Sequence, residues 1–207
     1  MKIQNVCAGE LGTNCYLLQN TDTNEMIIVD PADEAAKIAG RIESMNGIPK
    51  AIYLTHGHFD HIGAAKELSE KYDIPIVAYE SEKELLHDPR KNLSDGMGWN
   101  PISLEASELV KDGDILEYAG MTCKIIHTPG HTVGGCCFYF ADDKVLICGD
   151  TLFAGSCGRT DFPTSSFEDM KNSLKRLMEE LPEDTNAYPG HGVPTTIGYE
   201  KRFNAFV

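Results

Sequence analysis

The sequence predicts a layered α/β fold with its polar chemistry gathered at one sheet edge. Three observations predict it. Short apolar runs alternate with helix-like periods in the first half of the chain. After Gly113 the apolar runs follow one another without helices, as antiparallel strands do. Histidine or aspartate stands just beyond the end of four separate runs.

Taken in order, Cys15-Tyr16-Leu17-Leu18 and Met26-Ile27-Ile28-Val29 read as buried strands, joined by a polar turn over 21–25. Asp33 to Met45 has the period of an amphipathic helix, stopped by Asn46-Gly47 and Pro49. Ala51-Ile52-Tyr53-Leu54 is the next strand, and His56 to His61 leaves its carboxyl end. Gly63 to Tyr72 reads as one helix and Ile74 to Tyr79 as a strand. Leu85 to Ser107 reads as irregular, with Pro89, Gly96, Gly98 and Pro101 as breakers and Trp99 as the single tryptophan. Strands follow over 115–118, 122–127, 136–140 and 145–148. A helix over 166–180 and a short strand ending at Tyr188 complete the pattern. There is no repeat, low-complexity tract or Gly/Ser-rich linker, so one domain over residues 1–207 is expected.

The balance of 32 acidic against 18 basic residues gives a formal charge of −14. Such a field repels phosphate backbones and anionic membranes, which argues against nucleic acid or a membrane as partner. No window approaches the roughly 20 apolar residues that span a bilayer. The start of the chain lacks the apolar core of an export signal. The seven cysteines are odd in number and show no C-x-x-C spacing, so buried free thiols in a reducing cytoplasm are expected.

The informative segment is Thr55-His56-Gly57-His58-Phe59-Asp60-His61. Three imidazoles and a carboxylate in six residues are the donor types that hold zinc and related ions. In extended backbone His56 and His58 share a side, and a coil into the following helix turns Asp60 and His61 towards a neighbouring point. His131 in Thr128-Pro129-Gly130-His131, Asp150 in Cys148-Gly149-Asp150 and His191 in Pro189-Gly190-His191 each follow a strand. Ligands at the ends of separate strands can converge on one sheet edge.

At these residues the chain resembles the metallo-β-lactamase superfamily. The T-H-x-H-x-D-H segment is that family's principal motif, and His131, Asp150 and His191 follow in its order. The resemblance implies a four-layer αββα sandwich. It also implies two divalent metal ions, zinc first, with iron or manganese accepted by the same donors. By the same resemblance His56, His58 and His131 hold one ion and Asp60, His61 and His191 the other, with Asp150 bridging. The stretch from Asp150 to Asp161 and Pro189-Gly190-His191-Gly192 look like glyoxalase II-type hydroxyacylglutathione hydrolases, closest to the short bacterial branch without a helical C-terminal domain.

That resemblance implies a cytoplasmic thioesterase acting on a small-molecule thioester, in which hydroxide shared by the two ions attacks the carbonyl and Asp60 orients it. Arg159 is expected either to anchor a substrate carboxylate or to pair with Asp161. Cys157, Phe59, Phe153 and Trp99 are possible pocket walls, each with core packing as its plainer role. The same holds for Asn14 and Tyr16, for which structural roles are expected. His87 and His127 are read as structural or surface residues. The alternative activity is that of a persulfide dioxygenase, with a single iron on His56, His131 and Asp150.

Overall fold

In the computed structural model, residues 1–96 and 100–207 are described. Trp99, a possible pocket wall, lies outside the described residues. The first sheet runs β1 (Lys2–Ala8), β2 (Thr13–Gln19), β3 (Glu25–Val29), β4 (Ile48–Tyr53), β5 (Ile76–Tyr79) and β6 (Glu108–Val110), in that spatial order. Its first three strands are antiparallel and the rest parallel. The second sheet takes β7 (Ile115–Tyr118), β8 (Met121–His127), β9 (Cys136–Phe140) and β10 (Val145–Gly149). A small hairpin of β11 (Leu152–Phe153) and β12 (Ser156–Cys157) stands apart. The chain then adds β13 (Asn186–Pro189), parallel to β10, and β14 (Thr195–Thr196) on the far edge.

The helices are α1 (Ala35–Ser44), α2 (Phe59–Ile62), α3 (Ala65–Tyr72), α4 (Lys83–His87), α5 (Phe167–Glu180) and α6 (Ile197–Phe203). Three apolar clusters show how they stack. Tyr16, Leu18, Val29 and Tyr53 of the first sheet meet Ile125, Phe138 and Ile147 of the second. Side chains one step along the same strands face outwards, where Leu17, Ile28 and Ile52 pack against Ile38 and Ile42 of α1 and Leu68 of α3. On the opposite outer face, Cys137, Leu146 and Cys148 meet Leu174 and Leu177 of α5. The result is helix, sheet, sheet, helix: the αββα sandwich. Strands covered on both faces are why β2 to β5 read as continuous apolar runs rather than alternating ones.

The helices fit their sequences. Ala35, Ile38, Ala39 and Ile42 give α1 a buried stripe at i, i+3, i+4 and i+7. Helix α5 begins at Ser166, whose hydroxyl accepts from the Asp169 N–H, with Glu168 and Asp169 in its first turn. Pro49 sits inside β4 where the register with β3 shifts, a place that tolerates a missing N–H. No helix among the described residues is long and apolar enough to cross a membrane.

Some expectations need correction. The helix expected over 63–72 is preceded by a separate turn, α2, and starts only at Ala65. That break lets Asp60 and His61 turn away from the α3 axis. The stretch from Leu85 is helical as far as His87, because Leu85 and Leu86 bury against the core. Strand β1 and helix α6 were not expected. Only Val6 and Ala8 of β1 are buried, so no apolar run announces the strand.

Candidate metal centre

The site lies where strands end. His56 to His61 leave β4, His131 follows β8, Asp150 follows β10 and His191 follows β13. The structure brings all seven residues together. His56, His58 and His131 place one donor atom each within 4.8 Å of one another, as do His56, His61 and Asp150, and Asp60, His61 and His191. Asp150 lies between the groups: its Oδ2 is 3.5 Å from His131 Nε2 and 3.6 Å from His191 Nε2, and its Oδ1 is 3.5 Å from His61 Nε2.

The far side of each ring explains why its near side faces the cluster. Asp30, at the end of β3, takes the Thr55 N–H on Oδ1 (2.8 Å) and the Thr55 hydroxyl on Oδ2 (2.6 Å). His61 Nδ1 also donates to Asp30 Oδ2 at 2.9 Å. With its proton committed to Asp30, the Thr55 oxygen accepts from His56 Nδ1 at 3.1 Å. His131 Nδ1 donates to the Arg159 carbonyl at 2.8 Å. Three rings therefore point Nε2 inwards, whereas His58 presents Nδ1, 2.9 Å from His131 Nε2. Outer partners of this kind fix the tautomer and aim of a ligating imidazole.

Three of the inward atoms are left without partners. His56 Nε2, His61 Nε2 and Asp150 Oδ1 are buried and make no hydrogen bond in the protein. Buried polar atoms are nearly always satisfied, so three such atoms converging on one space call for a cation between them. Donor types and orphaned atoms together fit divalent metal ions.

The charges divide the site in two. Burial, reinforced by His61 and His131, holds His56 well below the ordinary histidine pKa. Burial and His131 do the same to His58. His131 is also lowered, again chiefly by burial. In the other group burial pulls His61 down, yet Asp60, Asp150 and Asp30 push it up to about 10. Burial likewise disfavours the Asp60 carboxylate, but His61 and His191 hold its pKa well below the usual range. Where three carboxylates stabilise a proton they also stabilise a metal cation.

The cluster floors a cavity of about 700 Å³ whose lining includes Leu11, Phe59, Leu93, Phe153, Cys157 and Phe162. Phe59 and Phe153, for which core packing was the plainer expectation, thus line the cavity. Arg159 also lines it, with its guanidinium paired to Asp161 at 2.6 and 2.7 Å and lying 4.3 Å over the Phe162 ring. His127 stacks on Tyr79 away from the cluster, and His87 ends α4 at the surface.

Sequence reasoning missed Asp30, and gave Asn14 and Tyr16 no specific contact. Asn14 Nδ2 donates to the Pro189 and Gly192 carbonyls, both at 3.0 Å, and the Tyr16 hydroxyl donates to Pro189 at 2.8 Å. These bonds hold the loop carrying His191. Gly190 in that loop is required by space, since a Cβ there would stand 2.3 Å from Asp150 Oδ1 and 2.6 Å from His61 Cε1. The one sequence signal for Asp30 is an acid directly after a wholly apolar strand.

Comparison with known proteins agrees with this geometry. The model of the metallo-beta-lactamase superfamily matches residues 8–191. The hydroxyacylglutathione hydrolase GloC of Haemophilus influenzae is 35% identical over 209 residues, covering 100% of this chain and 98% of that protein. Among solved structures, the BLEG-1 B3 metallo-beta-lactamase superimposes with a TM-score of 0.94 at 35% identity, covering 99% of both chains. A chain crystallised in a di-iron-bound form gives 0.86 at 33% identity, covering 99% of this chain and 100% of the other. The αββα layers, the strand-end donors and the match over nearly the whole sequence lead to one assignment: this chain belongs to the metallo-β-lactamase superfamily.

Proposed function

We propose that the chain is a dinuclear thioesterase of the hydroxyacylglutathione hydrolase type, within the metal-dependent hydrolases of its superfamily. The observation that carries this reading is the presence of two complete donor groups, joined at Asp150 and open to an apolar-walled cavity. In this reading His56, His58 and His131 would hold one ion and Asp60, His61 and His191 the other, with the Asp150 carboxylate within reach of both groups. When bound, the two ions supply Lewis-acid polarisation of a carbonyl oxygen and bring the pKa of a water towards neutrality. The resemblance of the 150–161 stretch and the whole-length likeness to GloC support a thioester as the bond cleaved.

The protein's own groups then have separate tasks. Asp60 is held ionised by His61 and His191, and Thr13 Oγ1 donates to its Oδ2 at 3.0 Å, so the carboxylate is fixed in orientation. It lines the cavity and orients the attacking water. Asp30 keeps the His61 Nδ1 proton, so that Nε2 is the ring's free donor atom. Leu11, Phe153 and Phe162 give apolar contact to the acyl or thiol part of the substrate and exclude water. The departing thiolate needs no protein acid, because a thiol is largely ionised not far above neutral pH. The Asp60, His61 and His191 group has no evident use in a one-iron dioxygenase, which favours hydrolysis over that alternative.

The test is turnover of S-D-lactoylglutathione by the purified chain, with metal content measured on the same sample. Two ions per chain and steady thioester hydrolysis are expected. One iron per chain with oxygen uptake on a persulfide, and no hydrolysis, overturns the proposal. Hydrolysis of a β-lactam without thioester turnover overturns the substrate class and keeps the metal chemistry.

A further inference from the structure

Glu82 is fully buried and belongs to no apolar cluster and to no donor group. It closes the short 3-10 turn Glu80–Glu82 after β5, where β5 runs alongside β4. Its two oxygens go to two different loops. Oε2 accepts the Gly57 N–H at 2.7 Å and Oε1 accepts the Gly134 N–H at 2.7 Å. Gly57 is the residue between His56 and His58, and Gly134 lies three residues beyond His131. One carboxylate thus joins the two loops that supply the three-histidine group.

Space at Gly134 is set by this contact, and at Gly57 by Leu85 together with it. A Cβ on Gly134 would stand 2.7 Å from Glu82 N and 2.8 Å from its Oε1. A Cβ on Gly57 would stand 2.6 Å from Leu85 Cδ2 and 3.1 Å from Glu82 Oε2. Burial raises the Glu82 pKa, while the Thr132 hydroxyl and the two backbone N–H groups oppose that shift. A buried carboxylate costs free energy that an apolar side chain in the same place would not, so its value lies in what it fixes. The loops also meet through the Cys136 N–H and the Thr55 carbonyl at 2.9 Å, but that bond touches neither the His56–His58 turn nor the 131–134 turn. The His191 loop is held separately, by Asn14 and Tyr16.

We propose that Glu82 is a positioning residue for the three-histidine group: by binding Gly57 and Gly134 at once, it sets the spacing of His56 and His58 against His131 and thereby that group's affinity for its ion. The inference rests on the metal-binding reading of the site given above. It assigns the affinity of one half of the centre to a carboxylate that touches no ligand.

The experiment is a zinc titration of chelator-stripped protein against a chromophoric chelator, with melting temperatures measured in chelator and in zinc. Glu82→Gln keeps the shape but turns one acceptor into an NH₂ that cannot receive an N–H. Glu82→Asp keeps the charge but is one methylene too short to reach both loops, and carries the same test if the Gln variant does not fold. The step that survives in His191→Ala identifies the three-histidine group. The Glu82 variants are expected to weaken that step by about 10–100-fold and leave the other near wild type. Tyr16→Phe is expected to act on the other step instead. A Glu82 variant that melts lower in chelator yet binds both ions as wild type does would reduce Glu82 to a structural role and overturn the inference. A wild-type protein that binds no zinc would overturn the metal reading itself.

Discussion

The two halves of the centre differ in how they are enclosed. His56, His58 and His131 are 2, 3 and 6% exposed, and their pKa values are lowered mainly by burial. His191 keeps 29% of its side-chain surface and Asp60 14%, and carboxylates dominate that half. The three-histidine half is neutral and the less exposed of the two, with His58 and His131 on the cavity wall. The other half is charged, with Asp60 and His191 on the cavity and His61 fully buried behind them. A less exposed seat favours retention of an ion, and a more exposed one favours access. On the dinuclear proposal, the first half would keep an anchor ion and the second a working ion.

The largest break in this comparison comes from the donors themselves. His58→Ala should abolish the anchor, with loss of turnover by several orders of magnitude and of one ion per chain. His191→Ala should spare the anchor ion while removing the other, with a comparable loss of turnover. If both variants lose both ions, the halves are not independent and the comparison fails. Next in size is Asp30→Asn. It removes either the acceptor of the Thr55 N–H on Oδ1 or the acceptor shared by His61 Nδ1 and the Thr55 hydroxyl on Oδ2, because an amide offers one oxygen where the carboxylate offers two. A drop of about 10–100-fold in affinity is expected, centred on the His61 half. A uniform loss in both halves would show that Thr55 and His56 carry the effect instead.

Protons sharpen the contrast at a smaller scale. In the metal-free protein His61 is raised from an ordinary 6.5 to about 10. A raised histidine stabilises the fold fully below its unfolded pKa and loses that contribution as pH rises through about 10. His56, His58 and His131 are shifted the other way, so their neutral forms favour the fold near neutral pH and their contribution is lost as pH falls below about 6.5. An ion entering the His61 half must displace a proton, and its affinity should rise about tenfold per pH unit up to that pKa. The three-histidine half is already deprotonated at neutral pH and should be nearly flat above it. Dialysis at mildly acidic pH followed by metal analysis should therefore yield a one-ion protein. Equal loss of both ions at each pH would contradict the charge asymmetry.

What could be read in the sequence follows from the same contrast. The donors were legible because their residue types are chemically specific and their spacings short, as in His56-x-His58-x-Asp60-His61. The layers were legible because β2 to β5 are buried on both faces and announce themselves as apolar runs. The groups that aim the donors were not. Asp30 meets His61 across 31 residues, Glu82 meets Gly134 across 52, and Tyr16 meets Pro189 across 173. A single polar residue beside an apolar strand does not say which backbone group it will meet. Strand β1 was invisible for the opposite reason: most of its side chains are exposed or half-buried, and it is held by backbone pairing to β2.

The smallest effect tests the open half at its hinge to the first sheet. Tyr16→Phe removes one donor to the Pro189 carbonyl and leaves the other, from Asn14 Nδ2, so no carbonyl is orphaned. The edge contact between the Tyr16 and Tyr188 rings, at 5.6 Å, survives the change. The cost should be about 1 kcal/mol, read as a fall of roughly 2–4 °C in the melting temperature. Asn14→Ala should cost more, because it removes donors to two carbonyls, Pro189 and Gly192, and leaves Gly192 without this partner. If these bonds set where His191 stands, both variants should weaken the His61 half in the same order as they lower the melting temperature, while the three-histidine step stays unchanged. A melting loss with both metal steps intact would mean that the loop is held instead by the cluster or by the backbone bond from Asn14 N–H to the Gly190 carbonyl, at 2.8 Å, which both variants keep.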